Sequence, residues 1–240
     1  MSAAGGVVLG RPRLHLRVVD STNQRARELA AAGAPHGTLV TASEQSAGRG
    51  RQGRVWTAPA GRALLCSLVV RTPPRLLPLA AGVAVAELAG EQARLKWPND
   101  VLRDGRKLAG ILVEGRTQEG WAVLGIGLNV ALREADFPPE LRGRAGTMGL
   151  EPDAIEPTLV ELLGRLERWL SAAESEVLQA VRSRDALLGR AVRWAAGEGV
   201  GAGIDDDGRL LVQTSDGPLS LDAGEVHLAA NCLPPGLDEP

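Results

Sequence analysis

Lysine is nearly missing from this chain: of 27 basic residues only Lys96 and Lys107 are lysines. Tyrosine is absent, Phe137 stands alone, and Asn and Ile occur four times each. Residues whose codons are rich in A and T are thus all scarce, the pattern that codon drift in a GC-rich genome leaves. A lysine that survives such drift marks a place where arginine fails, because a compact ammonium on a flexible stem does different work from a wide planar fork. Both survivors, and one of the four Asn residues, lie in one stretch, Lys96-Trp97-Pro98-Asn99-Asp100-Val101-Leu102-Arg103-Asp104-Gly105-Arg106-Lys107.

The other absences exclude function classes. No apolar run reaches the roughly 18 residues of a membrane helix, and residues 1–10 lack the basic start and long apolar segment of a secretion signal. A net charge of −2 provides no global field to recruit nucleic acid or an anionic membrane. The two cysteines, Cys66 and Cys232, form no metal-type spacing. Cys66 reads as a small core residue of an apolar strand. The expectation is a cytoplasmic protein with reduced thiols.

What is present suits a packed fold. A hydrophobic share of 44% over 240 residues supports one large domain, or a large and a small one. The patterning predicts strands at Leu14–Val19, Thr38–Thr41, Leu64–Arg71, Arg94–Trp97, Lys107–Glu114 and Trp121–Val130. Asp20-Ser21-Thr22-Asn23 reads as a turn and cap opening a helix that ends at Gly33. Leu77–Leu88 reads as a second helix and Pro157–Leu188 as a long helical stretch. After Gly189 short strand-like runs alternate with Gly and Asp turns, the spacing of a small β-barrel. The domain boundary is placed at residue 188, giving units 1–188 and 189–240, with a frayed tail from Pro234.

Between Glu44 and Gly61 lies a long polar loop whose core is Gly48-Arg49-Gly50-Arg51-Gln52-Gly53-Arg54-Val55-Trp56. Its three glycines let backbone N–H groups close on oxygen atoms, and its three arginines present forks that bind phosphate in bidentate fashion. A solvated basic loop would show the same composition, and so would a Gly–Arg nucleic-acid binder. The second is opposed by the 2% aromatic content and the negative net charge. No Gly-Lys-Ser/Thr follows, so this is not a Walker loop.

This loop with Gln45, then Lys96-Trp97-Pro98-Asn99-Asp100, then Lys107-Leu108-Ala109-Gly110-Ile111-Leu112-Val113-Glu114, then Gly125-Ile126-Gly127-Leu128-Asn129-Val130 resembles biotin protein ligase in order and spacing, and Asp20-Ser21-Thr22-Asn23 matches that family's entry motif. The resemblance covers about residues 14 to 230. It implies an α+β fold, a mixed sheet flanked by helices and akin to class II aminoacyl-tRNA synthetases, with a C-terminal SH3-like barrel. It implies formation of biotinyl-5′-adenylate from biotin and ATP with Mg²⁺, then transfer of biotin to a lysine of a biotin carboxyl carrier protein domain of an acyl-CoA or pyruvate carboxylase. The chemistry agrees: a carboxylate attacking an α-phosphate brings two anions together and needs fixed positive charge in a dry site.

By the same resemblance Lys107, Arg51 and Arg54 are the catalytic candidates. Ser21, Thr22, Asn23, Gln45, Gly48, Arg49, Gly50, Arg51, Trp56, Lys107 and Gly110 fall at biotin-binding positions. Arg49, Arg51, Arg54, Trp56, Lys96, Asn99, Lys107 and Asn129 fall on the nucleotide side, and Asp100 is a candidate either to hold magnesium or to orient Lys107. Small hydroxyls and an amide suit the two N–H donors and one carbonyl of a ureido ring. Gln52 departs from the basic residue common at its position. His15, His36 and His227 match no motif and read as structural or exposed. About a dozen residues precede the first strand, too few for the family's helix-turn-helix domain, so no DNA operator is expected. Exposed sheet edges permit a homodimer. A lipoate or octanoate ligase of the same superfamily is the alternative reading.

Overall fold

A computed structural model describes residues 9–222 and 224–228. Two sheets carry the molecule. The first has seven strands: β1 (Arg13–Val19), β2 (Leu39–Gln45), β3 (Ala63–Arg71), β4 (Ala93–Lys96), β5 (Asp100–Arg103), β6 (Arg106–Arg116) and β7 (Trp121–Asn129). Their order is β1-β2-β3-β7-β6-β5-β4. Only β1 and β2 run parallel, so the sheet is mixed. Helices α1 (Thr22–Ala31), α2 (Leu77–Ala89), α3 (Ile155–Leu170) and α4 (Glu174–Ser183) flank it.

Alternation along the strands decides what each face does. On β3, Leu64, Cys66, Leu68 and Val70 point into the main core with α2, α3 and α4. Val69 points the other way, joining Val40, Trp121 and Val123 under Ala26 and Ala30 of α1. On β6 and β7 the core side carries Ile111, Leu124, Ile126 and Leu128. The opposite side carries Gly110, Gly125 and Gly127 instead, which leaves a floor without side chains. Helix α2 is apolar all round because it is sandwiched: Ala80, Ala81, Val83, Ala84 and Val85 are all buried.

The second sheet consists of β8 (Ala191–Trp194), β9 (Gly197–Ile204), β10 (Leu210–Thr214), β11 (Gly217–Leu221) and β12 (His227–Leu228), ordered β11-β10-β9-β8-β12 and antiparallel throughout. Leu187, Val192, Ile204, Leu210, Val212 and Val226 join the same apolar cluster as α2 and α3. The change of texture after Gly189 is therefore a change of sheet, packed on the first through a continuous core.

Several expectations need revision. The stretch 157–188 is two helices, not one. Ser171 Oγ lies at 2.8 and 3.0 Å from the carbonyls of Glu167 and Arg168, and Glu176 accepts from the Ala173 N–H at 3.2 Å. These side chains take over the backbone groups at the break. Asp100–Arg103, between the expected strands Arg94–Trp97 and Lys107–Glu114, is a further strand. The long loop, expected at 44–61, spans 46–62 and has internal order: Arg49 bridges Val55 across a turn at Arg51–Gly53. Cys232 and the tail from Pro234 lie outside the described residues.

Candidate active site

The glycine floor of β6 and β7 is covered by the loop that follows β2. Trp56 N–H donates to Gly48 O at 3.0 Å and Gly50 N–H to Arg54 O at 2.7 Å, so the loop folds back on itself. The Trp56 ring lies on the floor. A Cβ added to Gly127 would stand 2.5 Å from it, so only glycine fits there. Lys107 Nζ sits 5.7 Å from the ring centroid, within cation–π range.

Two cavities meet at this point. The inner one, of about 110 Å³, is lined by Ser21, Thr22, Asn23, Gln45, Arg49, Gly50, Arg51, Arg54, Trp56, Asn99, Asp100, Lys107 and Gly110 among others. The outer one, of about 700 Å³, contains Lys96 and Asn129. Arg54, Trp56, Asp100 and Lys107 line both. The sequence-predicted residues thus gather in one place, with Gly48 behind the inner wall against Gln45.

The two lysines share one carboxylate. Pairing of β4 with β5 sets Lys96 opposite Asp100, and β5 with β6 sets Asp100 opposite Gly110. Lys107 Nζ lies 2.6 Å from Asp100 Oδ1 and Lys96 Nζ 3.4 Å from Oδ2. Oδ1 is shielded from solvent and meets Lys107 in ion contact without an aligned hydrogen bond. Both oxygens of Asp100 face ammonium groups, and among the described residues no group of three His, Cys, Asp or Glu could hold an ion.

Polar groups line the inner end. Ser21 caps α1 by accepting from the Gln24 N–H. Gln45 Oε1 accepts from the Thr22 N–H and Oγ1–H at 2.7 and 3.0 Å. Asn23, expected at the ligand, uses its amide internally: Nδ2 donates to Glu114 at 2.9 Å, and Ser67 Oγ stands 2.6 Å from Oδ1. Ser67 is fully buried and also lies 2.8 Å from Thr22 Oγ1; its one proton serves one of the two.

The loop arginines have partners. Arg49 reaches Gln24 at 3.2 Å and Glu114 at 3.5 Å. Arg51 donates to Asn99 Oδ1 at 3.2 Å and to Gly224 O at 3.3 Å, and Arg54 pairs with Glu225. Asn99 Nδ2 donates to Ile111 O at 3.0 Å and Asn129 Nδ2 to Gly146 O at 2.8 Å, so each keeps its place through a backbone carbonyl. Cys66 behaves as a core thiol, pushed up to about 12 by burial, although it also borders the inner cavity. His15 contacts Thr41, His36 accepts from the Arg71 N–H, and His227 lies beside Glu225.

Sequence reasoning missed Ser67, Glu114 and the 224–225 segment as neighbours of the site. Ser67 had a signal, being the only uncharged polar residue in the apolar run of β3. Glu225 had none, since 171 residues separate it from Arg54.

Sequence and structure comparisons with known proteins agree on one family. The model described as the biotin/lipoate A/B protein ligase family matches residues 15–130, and that of the biotin protein ligase C terminal domain matches 187–228. The "Bifunctional ligase/repressor BirA" of Bacillus subtilis (strain 168) is 34% identical over 92% of this chain and 75% of its own length. The "Biotin--[acetyl-CoA-carboxylase] ligase" of Mycobacterium tuberculosis is 35% identical over 87% of this chain and 86% of its own. The structure of biotin protein ligase from Aquifex aeolicus in complex with biotin and ATP superposes with a TM-score of 0.79 at 28% identity, covering 91% of this chain and 100% of that one. The chain belongs to the biotin protein ligase family. Among the described residues no helix is long and apolar enough to cross a membrane.

Proposed function

We propose that this chain is an ATP-dependent biotin protein ligase that joins biotin to ATP as biotinyl-5′-adenylate, releases pyrophosphate, and passes the biotinyl group to a lysine of a biotin carboxyl carrier protein domain. The observation that carries the reading is Lys107 at the junction of the two cavities, beside Asp100 and under Trp56.

The inner cavity would take the ureido end of biotin. Thr22 already donates two hydrogen bonds to Gln45 there, so a ureido group replaces one polar partner with another and leaves no buried group unpaired. The outer cavity would take the nucleotide. The carboxylate and the α-phosphate would then meet next to Lys107, whose ammonium offsets the charge that accumulates as they join. Asp100 holds that ammonium at the junction. In the transfer step its carboxylate, which borders the outer cavity, would accept the proton leaving an acceptor lysine.

Arg49, Arg51 and Arg54 lie on the lid and would turn toward the phosphate side once a ligand anion competes with Glu114, Asn99 and Glu225. A closed lid excludes water from a mixed anhydride. The five-stranded C-terminal sheet is assigned as an SH3-like barrel, and residues 1–188 and 189–240 as the ligase and accessory units. What supports the division is the separate antiparallel sheet beginning at Ala191.

The test is biotin-dependent exchange of labelled pyrophosphate into ATP by the purified protein. Exchange with biotin is expected. Exchange with lipoate or octanoate alone would move the chain to the sister activity.

A further inference from the structure

The hairpin that carries Lys96, Asn99 and Asp100 into the site lies at the edge of its sheet, where β4 is the last strand. The outer edge of β4 is met by the segment after α4, where Leu95 N–H donates to Arg184 O at 2.7 Å and Ala186 N–H to Leu95 O at 2.9 Å, and Asn99 is tied to Ile111 of β6. The turn between these anchors gains a further support from the second sheet. Trp97 is 5% exposed and buried in the main core, and its Nε1–H donates to Gly208 O at 3.0 Å.

Gly208 closes the turn between β9 and β10 with φ +81°, and a Cβ there would meet Leu76 at 2.7 Å. This turn is itself fixed. Arg75 Nη1 donates to Asp207 O at 2.9 Å, and Arg182 donates to Ile204 O at 2.8 Å and Asp206 Oδ1 at 2.7 Å. Inside the turn, Asp205 Oδ1 accepts from the N–H groups of Asp207 and Arg209 at 2.9 and 2.8 Å. The carbonyl that receives the Trp97 N–H is therefore held by the loop's own bonds and by α4.

We infer that Trp97 is a positioning residue for adenylation: through Gly208 O, the Asp205–Gly208 turn of the C-terminal sheet braces the Lys96–Asp100 hairpin on the nucleotide side of the site. The inference rests on the reading of the site given above. It makes the C-terminal sheet part of the catalytic apparatus without placing any of that turn's side chains in contact with substrate. Lys96 and Asp100 line the outer cavity. Asn99 and Asp100 also border the inner cavity, but its polar end at Ser21, Thr22 and Gln45 is built on α1 and β2, so the larger effect falls on ATP.

The experiment is the KM for ATP and for biotin in pyrophosphate exchange, measured for Trp97→Phe and for the double variant Arg75→Ala/Arg182→Ala. Trp97→Phe keeps a six-membered aromatic ring in the core and removes the five-membered ring with its N–H; the double variant loosens the turn by way of exposed side chains. Trp97→Phe is expected to raise the KM for ATP about tenfold, the scale of one buried hydrogen bond, with the KM for biotin within about twofold. The double variant moves the same constant in the same direction, and the combined triple variant falls short of the product of the two effects because both act on one brace.

Equal rises in both constants, or unchanged constants with a lowered Tm, would overturn the inference and leave Trp97 a packing residue. If Trp97→Phe does not fold, an unchanged KM for ATP in the double variant overturns it equally. Wild-type protein without biotin-dependent exchange would remove the reading of the site instead, so the two failures are distinguishable.

Discussion

Lys107 Nζ lies 2.6 Å from Asp100 Oδ1, and the second lysine of the chain approaches the other oxygen of the same carboxylate. The pairing accounts for the survival of lysine where every other basic residue is arginine. Two compact ammonium groups fit around one carboxylate that is only 11% exposed, where planar guanidinium forks would need more room. The Asp100 carboxylate orients Lys107 while the Trp56 face covers it.

Lys107→Ala is therefore expected to lower the rate of adenylate formation by about 100-fold or more, the scale of removing a group that stabilises developing charge. The fold should persist, because Lys107 lies at the cavity edge and outside the core clusters. Pyrophosphate exchange and a thermal melt check this. A folded variant with near-normal exchange would remove Lys107 from the mechanism.

Arg51→Ala should weaken retention of biotin or its adenylate more than it weakens the fold. The side chain touches Asn99 and Gly224 only through bonds of 3.2 and 3.3 Å on a lid outside the core. The stability change is expected within about 0.5 kcal/mol, as for surface positions generally. Equilibrium binding of labelled biotin against the melting temperature decides it, and a lower Tm with unchanged binding would contradict the lid role.

Gly127→Ala places a methyl 2.5 Å from the Trp56 ring and must push the indole off the floor. A stability loss of about 1–3 kcal/mol is expected, as for overpacking. The tryptophan emission should shift as Trp56 becomes wetter, and biotin binding should weaken. Unchanged emission and affinity would show that the ring does not depend on this floor.

Cys66 supplies a pH dependence. Burial raises its thiol to about 12 in the folded protein, so the neutral form is favoured there. The stability this group contributes is fully present below the ordinary thiol value and is lost as pH rises through the window between that value and about 12. In a Cys232→Ser background, Cys66 should resist iodoacetamide at pH 9 in the folded state and react in urea. Fast alkylation of folded protein would place the thiol in contact with solvent.

Much of the site was legible along the chain because its groups sit on short, separately patterned segments. Ser21 reads as a cap before α1, the Gly–Arg run as a loop, and the lysines as outliers in composition. The large–small alternation from Leu124 to Leu128 tells which face packs and which is bare once the strand period is known. The strand at Asp100–Arg103 was harder to see, since four residues between two turns carry too little pattern. The break at Ser171–Ala173 was hidden because alanine and serine there do not forbid helix; local side-chain bonds end it instead.

The amino-acid sequence alone determined the chemical inventory of this protein: two lysines, a basic glycine loop, hydroxyls at a helix cap, and the alternating apolar code of its strands. Such features depend on near neighbours and on local periodicity. Only the tertiary structure decided that Asp100 belongs to both lysines, that Asn23 faces Ser67 and Glu114, and that Arg54 and Trp97 lean on the C-terminal sheet. Those are meetings of groups brought together by sheet order and by one continuous core. No local pattern encodes which distant carboxylate or carbonyl will stand within 3 to 4 Å of a given donor.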